Sequence, residues 1–193
     1  VEKIKIENNL SIIQSKLLIS RYFSETEIYS IKNEINFSNP FFKNKDFLLG
    51  CKLLKNTIIK KSNILIIGDY DVDGCVSTSL MINFLKKVNI NCNYYIPDRF
   101  KDGYGANKDL IKELIKKFDP KLIIFLDCGS SSHHGLDYIK KLKISSLIID
   151  HHNIQKPFPK SDVIINPKKK IGSNYDYLCS SFLTYLFLDM YIS

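Results

Sequence analysis

"ILIIGDYDVDG", Ile64 to Gly74, sets four aliphatic residues directly before three aspartates at alternating positions, Asp69, Asp71 and Asp73. A short aliphatic run closed by a glycine reads as a strand buried on both faces, as in a parallel sheet covered by helices. Four more such runs follow: "NYYI" (93–96), "LIIFL" (122–126), "SLII" (146–149) and "VII" (163–165). Helices are expected between them over 76–87, over 108–118 with Asn107 as N-cap, and over 135–141. The alternation predicts an α/β fold, a parallel sheet with helices on both faces.

Open sheets of this kind carry their sites outside the carboxyl ends of the strands. The first strand runs into Asp69, Asp71 and Asp73, the third into Asp127-Cys128-Gly129, and the fourth into Asp150-His151-His152. Gathered carboxylates raise one another's pKa unless a cation sits among them. Carboxylates with imidazoles and no thiolate pair suit Mn²⁺ or Mg²⁺ better than structural zinc. Two such ions activate a water and hold a phosphoryl oxygen. Alone, a strand-end DxD is as much turn chemistry as metal chemistry, and an HH pair is more often two polar loop residues. All three at successive strand ends favour a metal centre. A phospho-acceptor receiver domain also gathers aspartates at strand ends, with Lys168 near where it would want its lysine, but it has no use for His151 and His152.

Arg99 is one of only two arginines in a lysine-rich chain. It lies in "IPDRFKDGYG", where its guanidinium would fork onto a phosphate or pair with Asp98 or Asp102. Gly103 and Gly105 around Tyr104 suggest a tight loop or close approach of the backbone to a ligand. In "DCGSSSHHG", Ser130 to Ser132 read as cap residues, with His133 and His134 at a helix start rather than as ligands. Asn166-Pro167 reads as a strand-terminating turn or a substrate-facing pair.

Upstream, residues 1–45 are expected to form a short helical appendage, with a capping box from Ser24 to Glu27. The main domain is expected over 46–193, opening on a helix to about Lys60 whose apolar face is Phe47, Leu48, Cys51, Leu54 and Ile58. At 193 residues, 45% apolar and 25% charged, the chain is long enough for one domain with a real core. No apolar stretch is long enough for a bilayer and no signal peptide is evident, which predicts a cytoplasmic protein without a membrane partner. Five cysteines with no CxxC pair fit reduced thiols. The net charge of +8 invites nucleic acid, although a general bias toward lysine explains much of it. Nothing in the composition points to a protein partner.

On these residues the chain resembles the DHH phosphoesterase superfamily, and within it the RecJ-type single-stranded-DNA exonucleases. "GDYDVDG" is similar to the first motif, "LDCGSSSH" to the second and "DHH", Asp150 to His152, to the third, in the same order. "NPFFKNKDFLLGCKLLKNTIIKKSNILIIGDYDVDG" and "IPDRFKDGYG" resemble segments of that branch. The resemblance implies metal-dependent 5′-to-3′ hydrolysis of single-stranded DNA in repair and recombination. It implies Asp71, Asp73, Asp127 and His151 as ligands of Mn²⁺ or Mg²⁺, His152 beside them as a catalytic residue and next candidate ligand, and Arg99, Tyr104 and Gly105 as substrate contacts. Asp69 is a further expected ligand, because superfamily members often carry a histidine two residues earlier, where this chain has Ile67. The family's fourth motif and its second domain have no counterpart here, so the domain is expected to be incomplete at its C-terminus, and Asp189 is a poor substitute for the missing ligand. Rival readings are a phosphodiesterase of cyclic dinucleotides or short oligonucleotides, and a non-catalytic metal- or DNA-binding remnant.

Overall fold

The computed structural model describes residues 9–32, 38–98, 100–102 and 106–193, and the division between its two compact units falls between Ser38 and Asn39. The first unit holds α1 (Ile12–Ser20) and α2 (Glu25–Lys32). Each opens on a reciprocal cap, Ser11 with Gln14 and Ser24 with Glu27, which satisfies backbone N–H groups that a helix start leaves free.

The second unit begins with α3 (Lys45–Ile59), capped by Asn44, whose side chain accepts from the N–H groups of Asp46 and Phe47. Then follow β1 (Ile64–Ile67), α4 (Val72–Lys87), β2 (Cys92–Tyr95), α5 (Lys108–Phe118), β3 (Leu122–Leu126), α6 (His133–Lys141), β4 (Ser145–Ile149), β5 (Val163–Ile165) and α7 (Ser180–Ile192). All five strands are parallel, in the order β2-β1-β3-β4-β5. The order reverses between β1 and β3, and such a switch point opens a crevice at the carboxyl ends.

Alternation along the strands builds two apolar layers. Ile64, Ile66, Ile124, Leu147 and Ile165 pack with Leu54 of α3, Met81 and Leu85 of α4, and Leu186 and Phe187 of α7. Leu65, Ile67, Phe125 and Ile148 pack on the other face with Ile111 and Leu114 of α5 and Leu136 and Ile139 of α6. Helices on both faces make β1 and β3 fully buried, as their unbroken aliphatic runs require. No helix among the described residues is long and apolar enough to cross a membrane.

The structure moves some boundaries. β2 starts one residue before the expected run, because Ile67 pairs with Tyr95 and the Gly68 N–H closes the ladder on the Tyr95 carbonyl. α4 starts at Val72 rather than 76, because Asp71 caps it. The buried stripe of α3 is Phe47, Gly50, Leu54 and Thr57, and Leu48 is 49% exposed. A β-carbon at Gly50 would lie 2.9 Å from the Phe187 ring, so the helix faces the sheet with its smallest residue and turns Leu48, about 200° away, to solvent.

Candidate metal centre

Three strand ends converge on Asp127. It follows β3 directly in a left-handed conformation, φ 60°, which a residue with a β-carbon adopts only at a cost of about 1 kcal/mol. Gly129 at φ 104° completes the turn, where a side chain would be strained and crowded by Phe125 and Ile148. The Asp127 side chain is buried and neither oxygen accepts a hydrogen bond. Burial first, then the charges of Asp73 and Asp71, push its pKa up to about 8.

Two groups of possible ligand atoms share this carboxylate: Asp69, Asp71 and Asp127, and Asp127, His151 and His152, with the atoms of each group within 4.8 Å of one another. Asp69 is buried, which raises its pKa, and its Oδ1 accepts from the Tyr70 N–H. Ile67 lies wholly in the core. Asp71 faces solvent while its Oδ1 caps α4 through the Gly74 N–H at 2.9 Å. His151 Nε2 lies 3.4 Å from Asp127 Oδ1 and 3.6 Å from Asp73 Oδ2.

Asp73 belongs to neither group of three. Its two oxygens accept the Ser181 and Ser180 N–H groups at the start of α7, at 2.7 and 2.8 Å. Burial works against its ionisation, yet the Ser181 side chain, these backbone bonds and His151 hold its pKa below the usual carboxylate value. The first turn of α7 is thereby tied to the centre. Asp189, nine residues further along that helix, instead accepts from Asn39.

Asp150 is the residue the sequence reading passed over as a site residue. It is buried, and Oδ1 accepts from the His151 and His152 N–H groups and meets His152 Nδ1 at 2.8 Å, while Oδ2 accepts from the Ser130 N–H. Burial opposes its charge, but the bonds from His152 and Ser130 win and bring its pKa down to about 2. Asp150 in turn lifts His152 to about 9. Its place beside the HH pair was visible, but its partner Ser130 comes from the turn after β3 and depended on strand order.

Ser130 is therefore no cap, and Ser132, the N-cap of α6, makes no side-chain cap bond. His133 and His134 are exposed at the start of α6. Asn166 is a buried brace: its Nδ2 donates to Ser130 Oγ and the His152 carbonyl, each at 2.9 Å. Arg99, Tyr104 and Gly105 lie outside the described residues.

A cation would supply what the buried oxygens of Asp127 lack, and oxygen and imidazole donors fit a divalent ion. The loop geometry depends on Gly74, where a β-carbon would lie 2.5–2.7 Å from the Asp69 backbone. Gly74→Ala is expected to cost about 2 kcal/mol, overpacking less the gain in helix propensity, and to weaken Mn²⁺ binding by displacing Asp71 and Asp73. Urea denaturation and Mn²⁺ calorimetry check this; wild-type values in both would mean that the turn relaxes freely.

Residues 63–192 match the family model described as DHH family, N-terminal domain. The chain is 32% identical over 180 residues to the single-stranded-DNA-specific exonuclease RecJ of Bacillus subtilis (strain 168), covering 92% of this chain and 22% of that protein. It is also 32% identical over 117 residues to the RecJ of Escherichia coli (strain K12), covering 60% of this chain and 20% of that one. The chain thus spans about a fifth of the length of these curated relatives. A crystal structure of exonuclease RecJ bound to manganese shares the fold at TM-score 0.70 and 22% identity, over 76% of this chain and 37% of that one. So does RecJ in complex with Mn²⁺ from Thermus thermophilus, at TM-score 0.69 and 18% identity, over 90% and 24% of the two chains.

Proposed function

This chain belongs to the DHH family, and we propose that it carries the metal centre of a nuclease that shortens single-stranded DNA from the 5′ end with Mn²⁺ or Mg²⁺. The observation that carries the reading is Asp127, buried between two groups of possible ligands with neither oxygen accepting a hydrogen bond. The relatives named as single-stranded-DNA-specific exonucleases support the substrate, and the solved relatives with manganese support the metal.

Asp69, Asp71, Asp127 and His151, with Asp73 beside them, would hold the divalent ions. Bound there, divalent ions supply an acidified water and neutralise charge on a phosphodiester. Asp73, fixed by the first turn of α7, stands against His151 Nε2 and limits where that ring can point. His152 has a separate role. Asp150 holds its Nδ1 as a donor, so His152 would present its other ring nitrogen toward the leaving oxygen. Asn166 fixes the backbone from which that ring projects by donating to the His152 carbonyl. Arg99, Tyr104 and Gly105 are proposed to grip the strand's phosphates. DNA repair and recombination in the cytoplasm would be the setting of such an activity.

Mn²⁺ calorimetry on the purified chain, Asp71→Ala and His151→Ala, followed by digestion of 5′- and 3′-labelled single strands, tests the reading. Metal binding that both substitutions abolish, with loss of 5′ nucleotides from single strands and none from duplex, is expected. Metal binding without strand shortening would leave a non-catalytic module, and cleavage confined to cyclic dinucleotides or very short oligonucleotides would replace the substrate.

A further inference from the structure

The loop between β5 and α7 carries three consecutive lysines, Lys168 to Lys170, that the metal centre does not use. The middle one is structural: Lys169 Nζ bonds to Asp46 Oδ2 at 2.7 Å and to the Ile164 carbonyl at 3.0 Å. Its neighbours point elsewhere. Lys168 and Lys170 line a cavity of about 390 Å³ together with Asn153, Gln155 and Asp176. Lys168 is half-buried, and neither it nor Lys170 makes an ion pair among the described residues.

This cavity is held in register with the metal centre. Asn153 follows His152 directly, and the buried Asn166 side chain bonds to both loops, donating to the His152 carbonyl and accepting from the Lys168 N–H at 2.9 Å. A lysine held partly out of water without an ion pair favours an anion, and ammonium groups beside side-chain amides suit a phosphate oxygen cluster. The one acidic lining residue, Asp176, is exposed.

We infer that the cavity beside the DHH run, lined by Asn153, Gln155, Lys168 and Lys170, seats a backbone phosphate of the single strand next to the one presented to the metal centre. The inference rests on the polynucleotide reading above and deepens it, by placing a phosphate contact on the β5–α7 loop.

The test is fluorescence anisotropy of a labelled oligothymidylate on the full chain in EDTA, where no strand is cut, across a salt series. Lys168→Gln/Lys170→Gln is compared with Lys116→Gln/Lys117→Gln, which removes the same charge from the exposed end of α5. The cavity pair is expected to lower the salt slope by about 1.4, roughly 0.7 for each lost phosphate contact on a single strand. At ~0.1 M salt that is a loss of affinity on the order of tenfold or more, with the α5 pair near wild type. Equal losses in the two variants would reduce the effect to net charge and overturn the inference, as would wild-type affinity in the cavity variant or no oligonucleotide binding by the wild type. Mn²⁺ calorimetry on the same variants separates the outcomes. Intact metal binding with no effect of the lysines rejects the phosphate seat and leaves the metal centre standing, whereas absent metal binding in the wild type rejects the nuclease reading.

Discussion

Asp127→Asn is expected to abolish Mn²⁺ binding and, in the metal-free protein, to make the chain more stable than wild type at pH 8. The side chain is fully buried, its oxygens accept no hydrogen bond, and its pKa stands at about 8. A carboxyl group whose folded pKa lies above its unfolded value binds more protons folded than unfolded, so stability falls as pH rises between the two. The window here runs from about 4 to about 8, and Asp69, raised by burial, acts in the same sense. A neutral amide of the same shape does not titrate. The variant should therefore match wild type near pH 4 and exceed it near pH 8 by on the order of 3–5 kcal/mol, the cost of ionising this buried carboxyl. Urea denaturation in EDTA at the two pH values measures the difference, and a gap that does not change with pH would sink the argument. The same carboxyl predicts that Mn²⁺ binding near pH 7 expels about one proton, read as a dependence of calorimetric heat on the buffer's ionisation enthalpy, and that Asp127→Asn leaves no such signal.

Legibility in the sequence followed the range of the interactions involved. β1, β3 and β5 lie where their aliphatic runs placed them, because strands buried on both faces leave polar residues nowhere to sit. The edge strand β2, with Asn93 and Tyr94 exposed, has no such constraint and took its register from β1. Local chemistry was also readable: Asn107 caps α5 as expected, and Ser24 with Glu27 forms the capping box. Asp71 was read for turn or metal chemistry and not as a helix cap, and that further task, capping α4, moved the helix start by a turn. The α3 stripe misled because hydrophobicity ranks Leu48 above Gly50, whereas the close approach to Phe187 selects the glycine. At the site, the residues that end strands were visible, since each aspartate closes an aliphatic run. The braces were not. Ser130 and Asn166 meet Asp150 and His152 only because β3, β4 and β5 are neighbours in the sheet, and the two serines that hold Asp73 lie more than a hundred residues away.

Asp150→Asn isolates those braces. An amide in place of this buried carboxylate still offers Oδ1 to the His151 and His152 N–H groups but turns its NH₂ toward the Ser130 N–H, leaving that donor buried without an acceptor. It also removes the anion that His152 Nδ1 meets at 2.8 Å. The imidazole titration, followed by NMR, should drop from about 9 toward the ordinary histidine value. The sign for each partner sets the pH window. Asp150, at about 2, contributes stability that is present above about 4 and lost on acidification; His152, at about 9, contributes stability that is full below about 6.5 and lost as pH rises. The loss from Asp150→Asn is therefore greatest between about pH 4 and 6.5, at about 2–3 kcal/mol, less than for a wholly buried pair because His152 is partly exposed. Above pH 9 the charge contribution is gone and only the stranded Ser130 N–H remains, so the loss should shrink to roughly 1 kcal/mol. A loss equal at both pH values would mean that Asp150 acts through its backbone bonds alone. In that event His152 would be neutral at working pH and free to take a place among the metal ligands, and the division of labour between His151 as ligand and His152 as proton donor would fail.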